Sequence, residues 1–146
     1  MYKHILAATD GSDLANSAIK HAAELAQAVG AKLTIVTVTP PAPTFAGSEI
    51  GYAVSTDFFE EIEKANKSHA KTVLDAAVKL AQPVEAERLH VSDRQPYDGI
   101  LEAAGEIGAD LIVMASHGRS GIDRLLLGSQ AGRVLAMSKT PILIIK

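Results

Sequence analysis

The segment ASHGRSGIDRLLLGS, residues 115–129, carries the residue types and spacing best suited to chemistry in this chain. It follows an apolar run at residues 110–114 and precedes QAGRVLA at 130–136, which reads as a short helix. A strand that passes through glycines into a helix start exposes backbone N–H groups that an anion can accept. Gly118 and Gly121 permit positive φ or close approach by a ligand. Gly128 and Ser129 lie at the positive end of the next helix, and the Ser129 hydroxyl adds a donor. The chemistry implied is a phosphate cradle. The same glycines can serve only to turn the chain, and Ser129 only to cap the helix. The segment is neither a Walker A loop, for no Lys follows a glycine at the required place, nor the dinucleotide G-x-G-x-x-G. Its cations are Arg119 and Arg124, partly offset by Asp123.

Asp10 is the second candidate. In TDGS, residues 9–12, its carboxylate can accept hydrogen bonds from a ribose hydroxyl or an adenine amino group. Alternatively, Asp10 or Ser12 caps the following helix, and the two roles are compatible. Val38 can supply an apolar wall and backbone groups beside a base, or be an ordinary strand residue.

The elements that must position these residues alternate along the whole chain. Strand periods fall at residues 3–9, 32–39, 84–91, 110–114 and 140–146. Helical periods fall at 13–29, 58–81, from Pro96 to just before Gly108, and at 129–137. Pro96 suits a first helical turn, where its missing N–H costs nothing. The first helix should turn Leu14, Ile19, Ala22, Ala23, Leu25, Ala26 and Val29 inward, and the second Phe59, Ile62, Ala70, Val73, Leu74, Ala77 and Leu80. The order β-α-β-α-β-α-β-α-β calls for right-handed crossovers and an open five-stranded parallel sheet with helices on both faces. With strand order 3-2-1-4-5, the reversal falls between strands 1 and 4, where such sheets bind ligands. Residues 9–12 and 115–118, more than a hundred positions apart, then share one crevice.

Bulk properties narrow the classes. At 146 residues the length fits one domain, residues 1–146. Hydrophobic residues make up 47% and aromatics only 4%, a core of Ala, Leu, Ile and Val suited to helices packed on a parallel sheet. A net charge of −3 argues against a nucleic-acid partner. The chain has no cysteine, which removes disulfides, thiolate metal sites and Cys nucleophiles. No His spacing suits a metal, no catalytic residue is assigned, and His117 reads as a loop residue able to reach phosphates or simply solvated. With no leader pattern and no membrane-length apolar run, a cytoplasmic location is expected. Residues 40–55, rich in Pro and Gly, form either a lid beside the crevice or a plain connector. The final strand, ILII at 142–145, is an apolar sheet edge that invites pairing with a second copy, unless Pro141 and Lys146 blunt it.

With these pieces placed, the chain resembles the universal stress protein family over essentially its full length. That family's nucleotide signature is G-x-x-G, nine residues, then G followed by Ser or Thr. Here ASHG at 115–118, nine residues at 119–127, and Gly128–Ser129 reproduce the spacing, while ILAATDGS and TPILIIK resemble the first and last strands. The resemblance implies a stress-response regulatory protein that binds ATP; with no P-loop Lys and no paired carboxylates in the candidate site, hydrolysis is expected to be slow or absent. It implies adenosine contacts from Asp10 and Val38, and phosphate contacts from Ala115, Gly118, Gly128, Ser129 and Gln130. It implies Mg²⁺ or Mn²⁺ carried on the phosphates rather than by a protein metal site, a homodimer through the last strand, and a regulatory protein partner. Alternatives are a module binding AMP, cyclic AMP or no nucleotide, and a slow ATP hydrolase. Two departures stand out: Ala115 replaces the first signature Gly, and Arg94 stands where many members have Gly. Ala115 matters if its backbone needs positive φ or close clearance from the ligand, and Arg94 if it narrows the mouth of the site.

Overall fold

Alternating apolar strands and amphipathic helices fold as that pattern requires. The computed structural model describes residues 1–43, 56–119 and 127–146. The elements are β1 (His4–Ala8), α1 (Asp13–Val29), β2 (Lys32–Thr39), α2 (Thr56–Ala81), β3 (Ala86–Ser92), α3 (Pro96–Glu106), β4 (Leu111–Ala115), α4 (Ser129–Met137) and β5 (Ile142–Ile145). All strand pairs are parallel, in the order β3-β2-β1-β4-β5. The expected fold is the one found. Strand bounds shift by one or two residues, chiefly at β3, where Val84 still donates to the Ala81 carbonyl in a turn off α2.

Period-2 geometry sends alternate strand residues to opposite faces, so central strands covered on both faces read as continuous apolar runs. Ile5, Ala7, Leu33, Ile35, Leu111 and Val113 pack beneath α1 and α2. Leu6, Ala8, Val36, Ile112 and Met114 pack beneath α3 and α4. The edge strand β3 is largely exposed and carries Glu87, Arg88 and His90, which blunt it against stray pairing.

α1 meets the sheet through Ala15, Ala18, Ile19, Ala22, Ala23 and Ala26, all buried, and this alanine face permits close approach. The stripe is narrower than expected: Leu14 and Leu25 are partly buried, and Val29 is exposed at the helix end. α2 is buried only from Ala70 onward, so Phe59 and Ile62 are not core residues. The two layers leave the crest of the sheet on opposite faces. β1 feeds α1 on one side, while the chain after β4 reaches α4 on the other.

Candidate functional site

Where those connections part, a cavity of about 590 Å³ opens at the carboxyl ends of β1 and β4. Asp10, Val38, Ala115, Gly118, Gly128, Ser129 and Gln130 all line it. The tertiary fold therefore brings together these seven residues from the ends of three strands and a helix start. Gly121, Asp123, Arg124 and most of the proposed lid, residues 44–55, lie outside the described residues.

One end of the cavity is apolar, walled by Val36, Val38 and Ile100. Gly99, buried in α3, makes this wall possible: a Cβ there would stand 3.0 Å from both Val38 methyls and 3.2 Å from Val91. Its role went unread because an isolated helical glycine usually signals only lost propensity. The Pro96 start, followed by glycine three residues on, was the available clue to close helix–sheet packing.

The other end is polar and starts at α4. Gly128, not Ser129, is the N-cap, with φ −60° and ψ 154°. The amides of Ser129, Gln130 and Ala131 precede the first intrahelical donor, Gly132, which bonds the Gly128 carbonyl at 2.8 Å. Gln130 also braces the start of α3. Its Oε1 accepts the Tyr97 N–H at 2.9 Å and so caps α3, whose own N-cap residue, Gln95, makes no side-chain cap bond.

Neither Gly118 nor Gly128 has positive φ; among the described residues that conformation belongs to Gly11, Gly30 and Gly108. Of the two roles expected for Gly118, positive φ is not adopted, and the clearance it provides is from a carboxylate of the protein itself. A Cβ on Gly118 would lie 2.6 Å from Asp10 Oδ2, and one on Gly128 would lie 2.7 Å from the Ser116 carbonyl oxygen. The amide assignment also needs correction. Arg119 N–H donates to Asp10 Oδ2 at 3.0 Å, and Gly128 N–H to the Ser116 carbonyl at 2.8 Å, so both are engaged within the protein.

Asp10 holds its own turn as well. Its Oδ1 accepts the Ser12 N–H at 3.0 Å, while Ser12 is the α1 N-cap and accepts from Ala15. Gly11 takes φ +80° between them, the conformation a glycine tolerates best. Buried Ser116 shares a hydrogen bond of 2.9 Å with His117 Nδ1, which orients a ring at the cavity wall. Among the described residues, no three His, Asp or Glu side chains gather as a metal site.

Both departures are accommodated. Ala115 has no positive φ, pairs with Ile145 and is buried, so its methyl joins the core beneath α1. Arg94 is exposed at the bend before Pro96 and is not among the residues lining the cavity.

Residues 1–146 match the family model described as the universal stress protein family. A universal stress protein from Thermus aquaticus is 37% identical over 146 residues, covering 100% of both chains. A universal stress protein solved in complex with cAMP is 31% identical, with a TM-score of 0.68 over 99% of this chain and 96% of that one. The solved structure of MJ0577, from Methanocaldococcus jannaschii, is 27% identical, with a TM-score of 0.81 over 100% of this chain and 96% of that one. Full-length agreement in sequence and in fold places this chain in the universal stress protein family.

Proposed function

We propose that the crest cavity binds an adenine nucleotide, ATP foremost, and that the protein is a nucleotide-dependent regulator in the stress response. The observation that carries this reading is the convergence of seven residues, from segments more than a hundred positions apart, on one cavity with an apolar and a polar end. Its volume of about 590 Å³ lies within the range of small-molecule sites. The apolar wall at Val38 and Ile100 suits a base, and Asp10 suits a ribose hydroxyl. The first-turn amides of α4, with the Ser129 hydroxyl, suit phosphate oxygens. The cAMP complex of a relative 31% identical supports an adenine ligand. A divalent ion, Mg²⁺ or Mn²⁺, would arrive on the phosphates.

Phosphoryl transfer needs positioned charge and a group that orients the nucleophile. His117 already shares its Nδ1 with Ser116, which supports slow or absent hydrolysis. A second reading, a module for AMP or cyclic AMP, draws support from the internal engagement of the Arg119 and Gly128 amides, which leaves fewer donors for a long phosphate chain.

A single domain over residues 1–146, a cytoplasmic location, a protein partner and a homodimer through β5 complete the reading. The dimer rests on β5 being a sheet edge with Leu143 exposed; Leu135 and Met137 of α4 are exposed as well. No helix among the described residues is long and apolar enough to cross a membrane. Calorimetric titration with ATP, AMP and cyclic AMP tests the proposal. Tightest binding of ATP supports it, preference for a monophosphate selects the second reading, and heat from none of the three overturns both.

A further inference from the structure

From the two bonds that Asp10 makes, we infer that Asp10 is the positioning residue of the phosphate end, and that Gly118 is glycine because of Asp10 rather than because of a ligand. The carboxylate stands where β1 ends, and its two oxygens reach in different directions. Oδ1 holds the Ser12 amide, which fixes the carboxylate to the start of α1. Oδ2 holds the Arg119 amide, which fixes the turn that leaves β4. A side chain so held at one oxygen is a rigid anchor for whatever bonds the other. The segments that leave the neighbouring strands β1 and β4 are thus joined by one carboxylate, 109 residues from the amide it grips.

Gly118 sits inside this grip. The approach that lets Oδ2 reach Arg119 brings it to 2.6 Å from where a Gly118 Cβ would be, shorter than real Cβ contacts allow. Any side chain at 118 must push the carboxylate off the Arg119 amide or swing the turn away. The opposing atom is a carboxylate fixed by Ser12 rather than the free end of a long chain, so it cannot yield cheaply. The Arg119 side chain also folds back toward the β1–α1 turn: its Nη2 lies 3.4 Å from where a Gly11 Cβ would stand. Turn 118–119 is therefore tied to turn 10–12 through the Asp10 carboxylate, with the Arg119 side chain folded toward it.

A double-mutant cycle on the full chain separates this from a ligand-clearance role for Gly118. The first readout is amide hydrogen exchange at Arg119 in the ligand-free protein, with thermal melts to confirm folding. Asp10→Ala and Gly118→Ala should each lower protection at Arg119 by roughly tenfold, and the double variant should fall no more than about twofold below Asp10→Ala alone. The second readout is affinity for inorganic triphosphate, which has no ribose to touch Asp10. Removing a carboxylate would strengthen anion binding if only charge mattered; positioning predicts that Asp10→Ala weakens it.

An Arg119 amide that exchanges freely in the wild type overturns the inference, as does a Gly118→Ala cost that is equal with and without Asp10. The triphosphate arm rests on the nucleotide reading above, whereas the exchange arm does not. Wild-type protein that binds no triphosphate, ATP or AMP defeats that reading and leaves the exchange cycle to decide the role of Asp10.

Discussion

An aspartate closes the β1–β4 seam at each end, and the two closures differ in what they leave open. At the base, Asp110 immediately precedes β4 and accepts the Lys3 amide at 2.8 and 3.1 Å and the His4 amide at 3.1 Å. There the two strands start together, with Ile5 opposite Leu111, and the carboxylate completes the ladder where strand pairing begins. At the crest, Asp10 makes the equivalent bond to Arg119, yet a cavity opens beside it. The difference lies in the connections. The chain leaves β1 toward one face and β4 toward the other, and the cavity lies between these two connections. One device thus serves strand docking at one end and site geometry at the other.

Glycine variants at the crest should weaken ligand binding, whereas a variant at the base should lower stability and spare binding. Gly128→Val is expected to be the most severe, because its Cβ would collide with the Ser116 carbonyl at 2.7 Å and tilt the start of α4. Loss of two first-turn donors corresponds to roughly 100-fold weaker ATP binding by calorimetry. Near-normal affinity would remove α4 from the phosphate end.

Gly99→Ala should follow, pressing α3 away from Val38. Overpacking of this kind costs about 1–3 kcal/mol, and the displaced wall should weaken adenosine binding roughly tenfold. Unchanged adenosine affinity with the stability cost intact would show that the base lies elsewhere. Gln130→Ala should cost about 1 kcal/mol of stability through the lost α3 cap, read by urea denaturation, while Gln130→Glu keeps an acceptor and recovers it.

Asp110→Ala is expected to leave nucleotide affinity within about twofold while lowering the melting temperature. The Lys3 amide first, then the His4 amide, holds the Asp110 carboxyl below the usual carboxylate range, against an opposing effect of burial. A depressed value in the folded state means that the stabilisation is full above the unfolded value and fades as pH falls through the folded one. The gap in melting temperature between wild type and Asp110→Ala should hold from neutral pH to about pH 5 and narrow below about pH 4. A gap that widens in acid would contradict the assignment.

Much of this molecule was legible before any coordinates. Apolar runs at β1 and β4 announced a doubly covered sheet, and Gly30 and Pro96 marked a helix end and a helix start where the structure has them. What misled was the reading of individual glycines. Gly118 was expected to allow positive φ or close approach by a ligand, yet it clears a carboxylate that is remote in sequence, while Gly11 takes the positive φ. The amphipathic pattern of α2 likewise extended inward positions to Phe59 and Ile62, past the point where the sheet ends beneath the helix.

The residue sequence alone determined the alternation of elements, the crossover order and the set of residues able to meet a phosphate, because periodicity and turn chemistry are local properties of the chain. Only the tertiary structure decided which of those groups are already engaged. Asp10 with Arg119, Gln130 with Tyr97 and Gly99 against Val38 are contacts between separate elements. No local pattern encodes them, since they exist only once the sheet has brought those elements within a few ångströms of one another.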